Sequence, residues 1–219
     1  MHKTVQNLIN IENNIKSNLN ELKINNQTKI IAVSKTFGID KILPLIDHGH
    51  KDFGENKVQE AIDKWLDIKE RNQNIKLHMI GKLQTNKVKL AVKLFDYIHS
   101  VDSQKLALKI SDESLKINKK IKIFIQVNLG EESQKAGINK EELEKFVSFC
   151  RQLNLDLIGL MCIPPINSES EKYFKELRSL NNNLGLSELS MGMSSDYLQA
   201  STNLSTFVRI GSSIFGQRN

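Results

Sequence analysis

Lys29-Ile30-Ile31-Ala32-Val33-Ser34-Lys35 sets an apolar run, Ile30 to Val33, between two lysines, too short for a helix and rich in β-branched side chains. It reads as a buried first strand over 29–34. The pattern recurs along the chain: a short apolar run, a polar turn, a helical pattern, then another apolar run. Strands are expected at 29–34, 50–53, 75–80, 96–99, 121–127, 155–162, 187–191 and 206–210. The run over 121–127 is rich in β-branched residues, and 155–163 is nearly continuous apolar, as a strand covered on both faces should be. Helices fall between them near 39–48, 56–70, 85–94, 103–117, 140–152, 170–183 and 195–203. Val5, Leu8, Ile9, Ile15, Leu19 and Leu22 recur at helical spacing and give an amphipathic helix over 4–23. Eight strands alternating with helices imply an α/β fold, a (β/α)8 TIM barrel, as one domain over 1–219. An open doubly wound sheet is the alternative, weakened because no G-x-G-x-x-G follows the first strand.

Local signals refine the elements. Ser168-Glu169-Ser170-Glu171 has the form of a capping box, and Asp102 is placed to cap the helix containing Leu106 and Ile110. Pro44 would cost a backbone hydrogen bond inside a helix, which puts it near a first turn.

A parallel barrel gathers the carboxyl ends of its strands at one mouth, where barrel enzymes place their chemistry. Lys35, Asn56, Gly81, Asn128, Met161, Gly192 and Gly211 all stand at or just past such ends. A lysine forms an imine with an aldehyde only when neutral, which partial burial at an apolar mouth promotes. Met191-Gly192-Met193-Ser194-Ser195-Asp196 follows the seventh strand and opens a helix, whose first N–H groups suit an anion. Arg209-Ile210-Gly211-Ser212 follows the eighth, and Gly211 permits close approach of backbone to ligand. Phosphate binding by the last two strand loops is a recurrent barrel arrangement. Together they suggest a bound aldehyde-phosphate, and pyridoxal 5′-phosphate (PLP) is such a molecule. Asn56 could meet a ring oxygen or water, Met161, Met191 and Met193 could pack around a flat ring, and His78 reads as a satisfied structural histidine.

The bulk properties exclude other classes. The 219 residues are 39% hydrophobic and 26% charged, ordinary values for a soluble domain. No stretch approaches the ~18 continuous apolar residues of a membrane helix, and the amino terminus lacks a signal-peptide block. Cys150 and Cys162 have no metal-ligand spacing. These features predict a cytoplasmic protein with no membrane association and no metal. The net charge of +6 comes from scattered lysines without interleaved aromatics, so no nucleic-acid partner is expected. No Ser-His-Asp arrangement or Walker loop is present.

Seven motifs then fall in a recognisable order: Ala32-Val33-Ser34-Lys35; Phe53-Gly54-Glu55-Asn56 with Gln59-Glu60; His78-x-Ile80-Gly81-x-Leu83-Gln84-x-Asn86-Lys87; Asn128-x-x-x-Glu132-x-x-Lys135-x-Gly137; Gly159-Leu160-Met161; Leu189-Ser190-Met191-Gly192-Met193-Ser194; and Val208-Arg209-Ile210-Gly211-Ser212-x-Ile214-Phe215-Gly216. With them the chain closely resembles, end to end, the PLP homeostasis proteins of the YggS/PROSC type. The resemblance implies a barrel like the N-terminal domain of alanine racemase, fold type III of the PLP proteins. Lys35 aligns with that family's Schiff-base lysine, and Ser194, Gly211 and Ser212 with its phosphate-binding positions. Arg209 matches the arginine that faces the pyridine nitrogen in related racemases, where a permanent cation weakens the ring as an electron sink. Asn56, Met161, Ser190, Met191 and Gly192 complete the expected cofactor-binding set.

Alanine racemases add a C-terminal β-domain and take a second acid/base tyrosine from the partner subunit. This chain ends at Asn219 directly after the eighth-strand motif, and Tyr97, Tyr173 and Tyr197 occupy no evident strand end. The implied role is to bind PLP and hand it on, to PLP-dependent apoenzymes among other recipients, as a monomer and without a catalytic residue. An amino-acid racemase-like PLP enzyme is the alternative. A phosphosugar-type barrel using Lys35 without PLP, and a nucleic-acid binder, are more distant ones.

Overall fold

The computed structural model describes residues 1–130, 136–153, 155–166 and 168–217. The eight strands are β1 (Lys29–Val33), β2 (Asp52–Glu55), β3 (Lys76–Met79), β4 (Tyr97–Val101), β5 (Lys122–Gln126), β6 (Asp156–Met161), β7 (Glu188–Met193) and β8 (Phe207–Ile210). Each pairs in parallel with the next, and β8 returns to β1 with Lys29 opposite Phe207 and Ile31 opposite Arg209, closing the barrel. The expected TIM barrel is therefore the observed one.

The helices are α1 (Lys3–Glu21), α2 (Ile39–Asp47), α3 (Val58–Arg71), α4 (Val88–Leu94), α5 (Gln104–Lys116), α6 (Lys140–Gln152), α7 (Ser170–Asn183), α8 (Tyr197–Thr202) and the short α9 (Ser212–Phe215), with a 3₁₀ turn at Thr85–Lys87. Helix α1 buries Val5, Leu8, Ile15 and Leu19 of the expected stripe and Ile11 besides, whereas Ile9 is only partly buried and Leu22 is exposed just past the helix end. It packs on α2, α8 and α9, pinned where Asn7 Nδ2 donates to the Ile214 carbonyl at 2.9 Å.

Side chains alternate along each strand between the barrel interior and the layer beneath the helices. Ile30, Ala32, Phe53, Leu77 and Ile98 belong to the large sheet–helix core, with Trp65 of α3 fully buried against it. Ile31, Tyr97, Phe124, Met161 and Phe207 form a separate cluster inside the barrel. A fully buried Leu, Ile or Phe contributes about 1.5–3 kcal/mol, so the outer layer carries most of the apolar stabilisation.

Four local expectations are corrected. β2 runs two residues later than 50–53 because pairing on both sides draws in Gly54 and Glu55. Pro44 is the sixth residue of α2, not in its first turn. The helix continues past it with Ile42 and Leu45 fully buried on either side. Helix α5 is capped by Ser103, whose Oγ accepts from the Leu106 N–H at 3.4 Å, instead of by Asp102. The capping box before α7 does not form: Ser168 Oγ donates instead to the Pro165 carbonyl at 2.7 Å, and the N-cap is Glu169. Glu132 and Lys135 of the fourth motif lie outside the described residues.

Candidate functional site

At the carboxyl ends of the strands lies a cleft of about 630 Å³. Its walls bring together residues far apart in sequence: Lys35 after β1, Asn56 after β2, Ser194 and Ser195 after β7, Arg209 of β8, and Gly211 and Ser212 beyond it. Val33, Ile80, Ile163 and Met193 supply apolar surface. Among the described residues lining the cleft there are two cations and no carboxylate, so the site favours an anion. Nor does a tyrosine line it.

Lys35 is half-buried and held by its neighbours in the chain. Thr36 has φ +67°, a left-handed conformation unfavourable for a β-branched residue. Two contacts from α3 hold the segment in that shape. The Thr36 N–H donates to Glu60 Oε1, and Lys64 Nζ donates to the Ser34 carbonyl at 2.8 Å. Lys64 also pairs with Glu55 at 2.9 Å and Glu60 at 3.1 Å. The Glu55 carboxylate is fully buried, and its Oε1 accepts from Ser34 Oγ at 2.7 Å and Trp65 Nε1 at 3.0 Å as well. Helix α3 thus clamps the backbone on both sides of Lys35.

Asn56 keeps its place because Gly81 has no side chain, since a Cβ there would stand 2.5 Å from the Asn56 carbonyl oxygen. The β7 and β8 loops touch directly: the Ser213 N–H donates to Ser194 Oγ at 3.5 Å. Asp196 shapes the first loop by accepting from the Met193 N–H at 2.7 Å and from Ser170 Oγ at 2.9 Å. Helix α8 begins only at Tyr197 and is six residues long. The anion-binding capacity of the corner therefore rests on loop N–H and hydroxyl groups together with Lys35 and Arg209.

Arg209 reaches the cleft from the barrel interior and is only 5% exposed. Its Nη1 donates to Ser190 Oγ at 2.7 Å and its Nη2 to the Cys162 carbonyl at 2.9 Å. Burial lowers its pKa, partly opposed by Cys162 and Asp196, and a guanidinium remains charged through such a shift. Burial pushes the neighbouring Cys162 thiol up to about 12, which leaves it an inert side chain at neutral pH.

Four of the sequence-predicted binding residues do not line the cleft. Met161 packs inside the barrel beneath it, and Met191 is buried in the sheet–helix core. Ser190 holds Arg209. Gly192, at φ +94°, leaves room for α8, because a Cβ there would come 2.4 Å from that of Ala200. His78 is a buried structural histidine, as its sequence context suggested. Sequence reasoning missed the clamp of Glu55, Glu60 and Lys64. The i,i+4 spacing of Glu60 and Lys64 was visible, but nothing local indicated that they reach the end of β1.

A second cleft of about 580 Å³ lies at the amino ends of β1 and β2, beneath α1. Its lining mixes Glu12 and Asp52 with Lys16, Lys29 and Lys51 and has no comparable pair of loops.

Comparison with known proteins agrees with this geometry. A family profile described as alanine racemase, N-terminal domain, matches residues 7–219. The alanine racemase of Clostridium difficile 630 superposes with a TM-score of 0.67 at 17% identity, over 94% of this chain and 57% of the racemase, a likeness of fold alone. PipY of Synechococcus elongatus PCC7942, solved with PLP bound, superposes with a TM-score of 0.82 at 34% identity, over 92% of this chain and 100% of PipY. The pyridoxal phosphate homeostasis protein of Vibrio cholerae is 38% identical over 202 residues, 87% of this chain and 86% of the relative. That of Escherichia coli K12 is 36% identical over 200 residues, again 87% and 86%. Barrel and cleft thus define an alanine-racemase-type N-terminal domain. Within that class, the chain belongs to the family of pyridoxal phosphate homeostasis proteins.

Proposed function

We propose that this chain binds PLP in the carboxyl-end cleft, holds it as a Schiff base on Lys35, and buffers or delivers it in intracellular PLP homeostasis without dedicated catalytic turnover. The observation that carries the reading is the joining of a clamped lysine to a two-loop anion corner in one cleft. The residues present fit the cofactor. The cleft volume lies in the range of small-molecule sites, and its charge suits a phosphate. When bound, PLP supplies an aldehyde carbon able to form an imine and a conjugated ring. Lys35 provides the amine, and Ser194, Gly211 and Ser212 receive the phosphate. Arg209 would face the ring nitrogen as a cation that does not release a proton, and Asn56 would meet a ring oxygen or water. Met161, Ser190, Met191 and Gly192 act from behind, packing the floor and fixing Arg209 and the β7 loop.

Non-catalytic binding is supported by the site chemistry, because racemisation needs a second acid/base on the other face of the substrate. The three tyrosines are engaged elsewhere. Tyr97 stacks on His78 at 4.2 Å, Tyr173 is buried on α7, and the Tyr197 hydroxyl accepts from Asn14 Nδ2 at 3.3 Å. A monomer that hands PLP to apoenzymes in the cytoplasm is the corresponding cellular reading, and among the described residues no helix is long and apolar enough to cross a membrane.

The test is to load the purified protein and Lys35→Ala with PLP, reduce with borohydride and measure intact mass. A cofactor-sized adduct on the unaltered protein and none on the variant is expected; equal labelling of both would overturn the assignment of Lys35. Incubation of the loaded protein with L-alanine should leave its chirality unchanged, and sustained formation of the D-isomer would restore the racemase reading.

A further inference from the structure

The interior of a (β/α)8 barrel is ordinarily filled by branched apolar side chains. This one contains a continuous polar path. From the Arg209 guanidinium in the cleft, Ser190 Oγ lies at 2.7 Å. His99 Nδ1 lies 2.8 Å from that oxygen, His99 Nε2 is 3.0 Å from His78 Nδ1, and His78 Nε2 is 3.0 Å from Asp52 Oδ1. Ser190, His99 and His78 are fully buried. Asp52 opens on the second cleft, at the opposite end of the barrel.

The proton positions along this path are determined by its two ends. An ionised Asp52 can only accept, so His78 Nε2 carries the hydrogen. A neutral His78 must then accept at Nδ1, so His99 donates from Nε2 and accepts at Nδ1. The Ser190 hydroxyl therefore donates to His99, and its oxygen is left to accept from Arg209. Burial holds both histidines below their ordinary pKa, His99 well below with His78 and Arg209 adding to the effect. Each bond donates in the same direction, from Arg209 toward Asp52, and aligned bonds of this kind strengthen one another. Rings pack along the path, with Tyr97 stacked on His78 at 4.2 Å and Phe124 on His99 at 4.3 Å. A buried charged network costs desolvation and gives stability that apolar packing of similar volume often matches. Stability alone therefore does not account for such a network in a core.

We propose that the Ser190–His99–His78–Asp52 relay is the positioning device for the Arg209 guanidinium, which makes Asp52 a remote positioning residue for the cofactor cleft. This rests on the reading of that cleft as the PLP site. Cutting the relay at Asp52 removes the group that fixes the His78 tautomer, and the loss propagates to the serine that orients Arg209.

The experiment compares the unaltered protein with Asp52→Ala, His99→Phe and the double variant, each checked for folding by near-ultraviolet circular dichroism. Two quantities are read: the rate of PLP release to an excess of a trapping apoenzyme, and the ring ¹⁵N signals of the histidines in the cofactor-free protein. The unaltered protein should show His78 and His99 as neutral Nε2–H tautomers. His99→Phe, which keeps the stack on Phe124, should speed release on the order of ten-fold, the effect of losing one buried hydrogen-bond partner. Asp52→Ala should speed it by about 3-fold and change the His99 signals, although Asp52 touches neither His99 nor the cleft. The double variant should match His99→Phe alone, because the relay is already cut. Unchanged His99 signals with unchanged release in Asp52→Ala, or effects that multiply in the double variant, overturn the relay while leaving PLP binding intact. If the unaltered protein takes up no PLP, the functional reading fails and the relay's role fails with it. Should His99→Phe not fold, Asp52→Ala at the solvent-facing end still decides the question.

Discussion

Lys35 owes its setting to the residue after it. A threonine with positive φ costs about 1–2 kcal/mol relative to a relaxed backbone, and here the strain lies beside the amine assigned to the cofactor. Thr36→Gly should remove it, raising stability by up to about 1 kcal/mol as a higher urea midpoint. It should also loosen the turn that presents Lys35, so that PLP uptake slows while the fold strengthens. A midpoint at or below that of the unaltered protein would mean that Thr36 is not strained. The position of Lys35 just past a strand was readable from sequence. The turn was not, because a positive φ at threonine contradicts local preference and persists only through contacts made by α3.

At the scale of elements, β2 and α3 act as one unit. Glu55 lies on the outward face of β2 with its charge inside the protein, and its Oε2 has no hydrogen-bond partner among the described residues. Lys64, with an 11% exposed side chain, is its counter-ion. Removing one member of such a pair costs more than the pair contributes, since a buried charge is left alone. Lys64→Met should lower unfolding free energy by about 3–5 kcal/mol, and adding Glu55→Gln should recover a good part. A Lys64→Met loss below ~1 kcal/mol in urea melts would show that water reaches Glu55 and that the clamp is weaker than drawn. Gly54-Glu55 reads as a turn, and becomes strand because Gly54 pairs with Val33 and His78 and Glu55 with Met79, while Ser34, Lys64 and Trp65 meet the carboxylate.

For the whole molecule, buried histidines link stability to pH. His50, His78 and His99 all have pKa values lowered first by burial, with hydrogen bonding and charge from Asp52 opposing this at His50 and His78. In the unfolded chain each titrates near 6.5. As pH falls below 6.5 the unfolded state takes up protons that the folded state refuses, so stability is complete above that value and is lost beneath it. The slope is at most about 1.4 kcal/mol per pH unit for each histidine. Melting temperature should therefore fall between pH 6.5 and pH 5, with His99→Phe falling less steeply by one proton's worth. A flat profile over that range would mean that the histidines take up protons in the folded protein as readily as in the unfolded chain. Asp52 acts in a lower window. Burial raises its pKa, but the hydrogen bond from His78 and nearby charges outweigh that and leave it lowered, so its contribution is lost only as pH drops through the carboxylate range.

The sequence by itself determined the barrel and the residues at its mouth. A strand is a local pattern, its carboxyl end is a local position, and eight repeats of strand and helix favour a closed barrel over the open doubly wound sheet. Lys35, Asn56, Ser194, Arg209, Gly211 and Ser212 could be named on that ground, and they do share one cleft. Met161, Ser190, Met191 and Gly192 could be named too, but not their places behind it. The clamp from α3, the polar path through the interior and the course of α2 past Pro44 were decided only by tertiary structure. Alternation tells which face a side chain takes, whereas its partner there depends on the stagger of closed strands. His78 and His99 meet because β3 and β4 are paired neighbours, and Ser190 reaches His99 because β7 lies across the barrel interior from β4, a relation set by closure over long stretches of chain.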